Sequence, residues 1–136
     1  MNCIFCKIIK GEIPCTKLYE DKDILAFLDI NPSNEKGGHT LVLTKKHYEL
    51  ISDIPEEELN KVIKFVKKIS TILLKEAEGV NILQNNKKAA GQMIPHIHFH
   101  IIPRYKGDNI KIDYWECQKY PPGKIELVAE KIKKQL

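Results

Sequence analysis

Hydrophobic positions in this 136-residue chain follow two rhythms. In "IPEEELNKVIKFVKKISTILLKEAEG" the apolar residues Leu59, Val62, Ile63, Val66, Ile69 and Leu73 recur at helical spacing. That predicts a long helix over residues 55–78 with one face in a core. Pro55 and an acidic first turn suit its start, and Gly79 its stop. Elsewhere the apolar runs are short. "KLYED" and "ILAFLDI" predict two strands joined by a turn at residues 21–23, "HTLVLT" a third, and "VNILQN" and "IPHIHFHII" two more. "CIFCKIIKG" suits a short helical turn closed by Gly11, "NPSNEKGG" and residues 87–92 suit loops, and "GKIELVAEKIKKQL" predicts a terminal helix. Strands flank one long helix without strict β-α-β alternation, which argues for an α+β fold in one domain spanning 1–136.

The last predicted strand carries an unusual pattern. In "PHIHFHIIPR", His96, His98 and His100 alternate with Ile97, Phe99 and Ile101. Strand side chains alternate between faces, so the three imidazoles project one way and the apolar residues the other. One histidine on a strand face is a surface residue. Three in register point to a metal site or to imidazole chemistry.

Composition narrows the choice. Hydrophobic residues make up 43% and charged residues 29%, an ordinary globular balance. The net charge of +4 comes from lysines spread along the chain, so no nucleic-acid polymer is expected as a partner. No run approaches the ~20 apolar residues of a membrane span. "MNCIFCKIIKGE" breaks its apolar stretch with lysines and does not read as a signal peptide. A cytoplasmic location is expected, with the four cysteines as thiols or metal ligands. Arg104, the sole arginine, directly follows the histidines.

The run His96–Ile97–His98–Phe99–His100–Ile101–Ile102 resembles the His-x-His-x-His-x-x signature, each x apolar, of the histidine-triad (HIT) nucleotide-binding proteins. "CIFCKIIKGEIP", "AFLDINP", "GHTLVLTKKH" and "AGQ" are similar to further segments of that family, in the same order. The resemblance covers nearly the whole chain and extends to the zinc-carrying prokaryotic-type branch. It implies a five-stranded antiparallel sheet with one long helix and a C-terminal helix. Two protomers would join into a ten-stranded sheet as a homodimer, the long helix lying across the interface.

The implied activity is hydrolysis or nucleotidyl transfer at the α-phosphorus of a nucleotide, through a nucleotidyl-histidine intermediate. The substrate would be a purine nucleoside phosphoramidate, a dinucleoside polyphosphate or a related nucleotide. His98 matches the nucleophile, and neutral imidazole suits that task near pH 7. His100, His39 and Gln92 match groups beside the phosphate. Asp29 matches the carboxylate that holds the ribose, Phe27 and Ile30 the wall near the base, and Asn85 a second amide. Arg104 suits either a bidentate donor to a distal phosphate or a surface ion pair.

The resemblance also implies one structural zinc per chain on Cys3, Cys6, His47 and His96. Two thiolates with two imidazoles form a closed tetrahedral set. Cys15 and Cys117 match no ligand pattern and read as structural thiols. Two departures stand out: Met93 replaces the usual Ser or Thr after "GQ", and the loop at residues 31–38 is two residues longer than usual. A thioether has no proton to give a leaving group. Met93 therefore keeps open an alternative, a nucleotide-binding or partner-binding module with little activity.

Overall fold

The computed structural model describes residues 2–112 and 115–136. Five strands form one antiparallel sheet: β1 (Thr16–Glu20), β2 (Ile24–Leu28), β3 (Thr40–Thr44), β4 (Gly79–Leu83) and β5 (His98–Arg104). Their spatial order is β1-β2-β3-β5-β4. Helix α1 (Ile4–Ile9) precedes the sheet, α2 (Glu56–Leu73) joins β3 to β4, and α3 (Lys124–Lys133) follows β5. The α+β expectation and its five antiparallel strands are met. Among the described residues, no helix is long and apolar enough to cross a membrane.

Period-two alternation divides the core between the faces of the sheet. Ile24, Ala26, Val42, Phe99 and Ile101 pack with Val62, Val66 and Ile69 of α2. Leu25, Phe27, Leu41 and Leu43 pack on the other side with Phe5 of α1. Register carries this division into β5, because His98 lies opposite Leu43 and His100 opposite Leu41. The two histidines of β5 therefore share a face with α1, away from α2.

Two boundaries moved furthest. The long helix ends at Leu73, five residues before the expected Glu78. Leu74 caps it in the αR conformation, and turn-type bonds from Lys75 N–H to the Ile72 carbonyl and from Glu76 N–H to the Leu73 carbonyl carry the chain out. Gly79 opens β4 instead of closing the helix. The final strand begins at His98, not Ile94. His96 N–H turns back to the Ile94 carbonyl and Ile97 N–H donates to the Tyr48 carbonyl, so the first triad histidine sits in a lead-in segment outside the ladder.

β1 and β4 are the edges of the sheet. β1 is exposed throughout and carries an ion pair between Lys17 and Glu20. β4 exposes Ile82 by 53%, and close by in sequence the end of α2 exposes Ile72 and Leu74 by about half. The apolar residues Ile125, Leu127 and Ile132 of α3 are likewise exposed.

Candidate active site

A cavity of about 610 Å³ opens on the α1 side of the sheet. Its floor is the histidine face: His98 and His100 from β5, with His39 from the residue before β3. Phe27 and Asp29 enter from the end of β2. Asn85 and the exposed Ile30 and Met93 stand along it. Seven of the residues singled out for nucleotide contact thus share one cavity: Phe27, Asp29, Ile30, His39, Asn85, His98 and His100.

His98 is buried, 6% exposed, and its Nδ1 lies 2.7 Å from the His96 carbonyl oxygen. A carbonyl only accepts, so Nδ1 carries the hydrogen and Nε2 keeps its lone pair. Burial pushes the His98 pKa below the ordinary histidine value, against the pull of its backbone bond and of Asp29. The ring is neutral near pH 7. Phe5 of α1 meets it edge-on with centroids 5.0 Å apart, which limits its rotation.

Beside it, His39 Nε2 and His100 Nδ1 are 2.9 Å apart, and His39 Nε2 lies 3.7 Å from Asp29 Oδ2. Burial depresses both pKa values, His100 to about 4, with His98 and His39 as added causes for the latter. Both rings are neutral near pH 7, so this side of the cavity carries no imidazolium.

Two singled-out residues stand apart. Gln92 is buried, and both ends of its amide are taken up by backbone: Nε2 donates to the Glu49 carbonyl and Oε1 accepts from Lys87 N–H. Its place is in tying the 87–92 loop to the segment after β3. Arg104 lies in a separate cleft at the start of β4. Its guanidinium forks onto Asp108 (2.9 and 3.1 Å) and reaches Asn81 and the Ile110 carbonyl. That geometry favours the ion-pair reading of Arg104 over the phosphate one.

Sequence reasoning missed the wall contributed by α1. Ile4, Phe5 and Ile8 line the cavity, and so does Cys15, read above as a structural thiol. The apolar spacing inside "CIFCKII" was the available signal: it gives a six-residue helix one greasy side that needs a surface to cover.

Close to His98, four further ligand atoms converge. Those of Cys3, Cys6, His47 and His96 all lie within 4.8 Å of one another. Cys3 Sγ and Cys6 Sγ are each 3.6 Å from His96 Nδ1, and Cys6 Sγ is 3.3 Å from His47 Nδ1. Zinc–sulfur and zinc–nitrogen bonds of about 2.3 and 2.05 Å at the tetrahedral angle place S and N about 3.5 Å apart. His96 is fully buried, and its Nε2 donates to the Thr44 carbonyl at 2.7 Å, which leaves the Nδ1 lone pair aimed at the sulfurs. That pairing of ring nitrogens is what a metal-ligating histidine requires. The four residues fit a tetrahedral ion.

A HIT domain model matches residues 10–107. The adenosine 5'-monophosphoramidase hnt1 of Schizosaccharomyces pombe is 38% identical over 136 residues, covering 100% of this chain and 99% of that protein. An adenylylsulfatase, HINT3 of Arabidopsis thaliana, is 44% identical over 109 residues, covering 79% of this chain and 54% of its own. Among solved structures, a HIT-family protein from Bacillus subtilis superposes with a TM-score of 0.90 at 40% identity, covering 100% and 98% of the two chains. A Zn-bound histidine triad protein from Mycobacterium smegmatis superposes with a TM-score of 0.75 at 31% identity, covering 100% and 99%.

Proposed function

The chain belongs to the HIT family, and on that premise we propose that it is a nucleotide hydrolase or nucleotidyl transferase working through a nucleotidyl-His98 intermediate. The observation that carries this reading is the His98 ring itself: neutral, oriented by the His96 carbonyl, with a bare Nε2 on a nucleotide-sized cavity. Relatives named as a phosphoramidase and as an adenylylsulfatase share the nucleotidyl half of their substrates and differ in the leaving group. The substrate class proposed is therefore a nucleoside phosphoramidate or a related nucleotide, including dinucleoside polyphosphates.

In the first step His98 Nε2 bonds to the α-phosphorus as the bond to the leaving group breaks, and the leaving group departs with the electron pair. The modified ring is cationic, and its Nδ1–H bond to the His96 carbonyl stabilises that charge. In the second step water attacks phosphorus, the P–N bond breaks with its electron pair returning to His98 Nε2, and the water's proton passes to solvent as the nucleotide leaves. His100, backed by the His39 ring bonded to its Nδ1, stabilises charge on the non-bridging oxygens, Asp29 accepts from the ribose hydroxyls, and Phe27 and Ile30 flank the base. Fixing these groups before the substrate arrives is the main rate advantage, since phosphoryl chemistry rewards positioning.

The proposed cofactor is zinc, one per chain, held by Cys3, Cys6, His47 and His96. With four protein ligands it is structural, fastening α1 and the segment after β3 to the lead-in of β5. The Zn-bound relative supports this choice of metal. A homodimer is proposed too. The exposed Ile82 on edge strand β4, with Ile72 and Leu74, offers an apolar surface for a second copy. Sedimentation at micromolar concentration should show twice the chain mass, and a monomer there removes the dimer.

The reading is tested by incubating the protein with a slow nucleoside phosphoramidate and quenching in base, where N-linked phosphoramidates persist. One nucleotidyl group per chain on His98 is expected. His98→Asn should fold, bind nucleotide and turn over ~10³-fold or more slowly. Wild-type binding without turnover or adduct would favour a binding module, a second reading that the 89% exposed Met93 at the cavity supports by placing no proton donor there.

A further inference from the structure

We propose that the backbone N–H of Ser33 sets the tautomers of both phosphate-side histidines, so that His100 meets its ligand as a neutral Nε2–H donor. Ser33 N–H donates to His39 Nδ1 at 3.1 Å. An amide N–H has no lone pair to offer, so His39 Nδ1 is the acceptor and its hydrogen sits on Nε2. His39 Nε2–H then donates to His100 Nδ1 at 2.9 Å. His100 Nδ1 is thereby occupied as an acceptor, and the hydrogen of this neutral ring sits on Nε2. Each link follows from the one before, and the first is a peptide bond, which cannot change its hydrogen.

The chain of bonds works only if the loop holds the amide still. Three contacts do so. Asn34 Nδ2 donates to the Pro103 carbonyl at 3.0 Å, tying the loop to the far end of β5. Gly37 N–H closes a turn onto the Asn34 carbonyl. Gly38 adopts φ +88°, with Leu73 and Pro103 side chains 3.3 Å from where a Cβ would stand. A side chain there is both strained and crowded, so the loop sits against the body of the protein. The Ser33 hydroxyl is buried and has no hydrogen-bond partner among the described residues. The contribution of Ser33 therefore runs through its backbone, and Ser33 is a positioning residue.

The assignment also decides what the trio Asp29, His39 and His100 can hold. Their ligand atoms lie within 4.8 Å of one another, as a metal site requires. With a hydrogen on His39 Nε2 the trio offers an N–H where an ion needs a lone pair. The hydrogen it leaves free for an acceptor is the one on His100 Nε2.

The donor role of His100 rests on the nucleotide reading above; the tautomers do not. In uniformly ¹⁵N-labelled, metal-replete protein, couplings across the hydrogen bonds should link the Ser33 amide to His39 Nδ1, and His39 Nε2 to His100 Nδ1. Two-bond ¹H–¹⁵N correlations should show both rings with hydrogen on Nε2. Ser33→Ala keeps the amide and should keep this pattern. Ser33→Pro removes the N–H and should lose the single-tautomer pattern at His39. Hydrogen on His39 Nδ1 in the wild type, or absent couplings, overturns the proposal even if the proline variant fails to fold. Titration with a nucleoside monophosphate should move the His100 Hε2 resonance downfield. Binding seen at Asp29 and Phe27 without that shift overturns the donor role. Intact couplings with no binding at all would instead count against the nucleotide reading.

Discussion

On the two faces of β5, adjacent residues buried to the same degree are organised in opposite ways. Phe99 and His98 are 5% and 6% exposed. Yet Phe99 and Ile101 meet a layer of interchangeable aliphatic side chains, whereas His98 and His100 have each ring nitrogen on that face assigned to a partner or to the cavity. Packing on the first face is non-directional, scales with area and tolerates repacking. Hydrogen bonds on the second depend on which atom holds which hydrogen. On β5 one face contributes packing alone and the other a set of directed hydrogen bonds.

Metal removal has the largest expected effect, because the four sulfur and nitrogen ligands tie α1 and the segment after β3 to the lead-in of β5. Protein purified without chelator should contain one zinc per chain. Stripping it should lower the melting temperature sharply, since structural zinc is worth on the order of 10 kcal/mol in small model sites. Metal analysis that finds none would end the zinc proposal. A smaller loss, about 2–5 kcal/mol, is expected for Ile101→Ala, which opens a cavity on the α2 face where Ile101 is fully buried. Turnover per folded molecule should stay near the wild-type value; a collapse of kcat in folded Ile101→Ala would show that the faces are not separable.

Acid supplies the mildest test. His39 and His100 are held below the ordinary value of 6.5, His100 at about 4, mainly by burial. The unfolded chain therefore takes up protons first. Their stabilising effect is complete above pH 6.5 and is lost as pH falls from there towards 4, by at most about 1.4 kcal/mol per pH unit for each group. Denaturant midpoints of His100→Asn against wild type across that window should show a shallower slope for the variant. Equal slopes would mean that this ring is not held neutral by the fold.

Much of this could be read without coordinates. The helical spacing from Leu59 to Leu73 placed α2, and the His-x-His-x-His alternation placed two imidazoles on one face. What escaped the sequence depended on contacts between distant segments. The start of β5 was misjudged because Tyr48, far away in the chain, takes Ile97 N–H. Gln92, matched through the family resemblance, and Arg104, which directly follows the triad, are held away from the pocket by local partners such as Lys87 and Asp108. The wall formed by α1 and the amide of Ser33 lie in segments whose composition says only short helix and loop.

His96 gives its ring to the sulfur cluster and its carbonyl to His98, the proposed nucleophile. The two duties use different parts of one residue, so they are inherited together. A substitution that moves the carbonyl by a fraction of an ångström without breaking the cluster would leave the melting curve nearly intact and still misaim His98. Variation around residues 94–98 is thus constrained by speed before it is constrained by folding, and a lineage exploring new leaving groups would change the mouth of the cavity first and this hinge between anchor and nucleophile last.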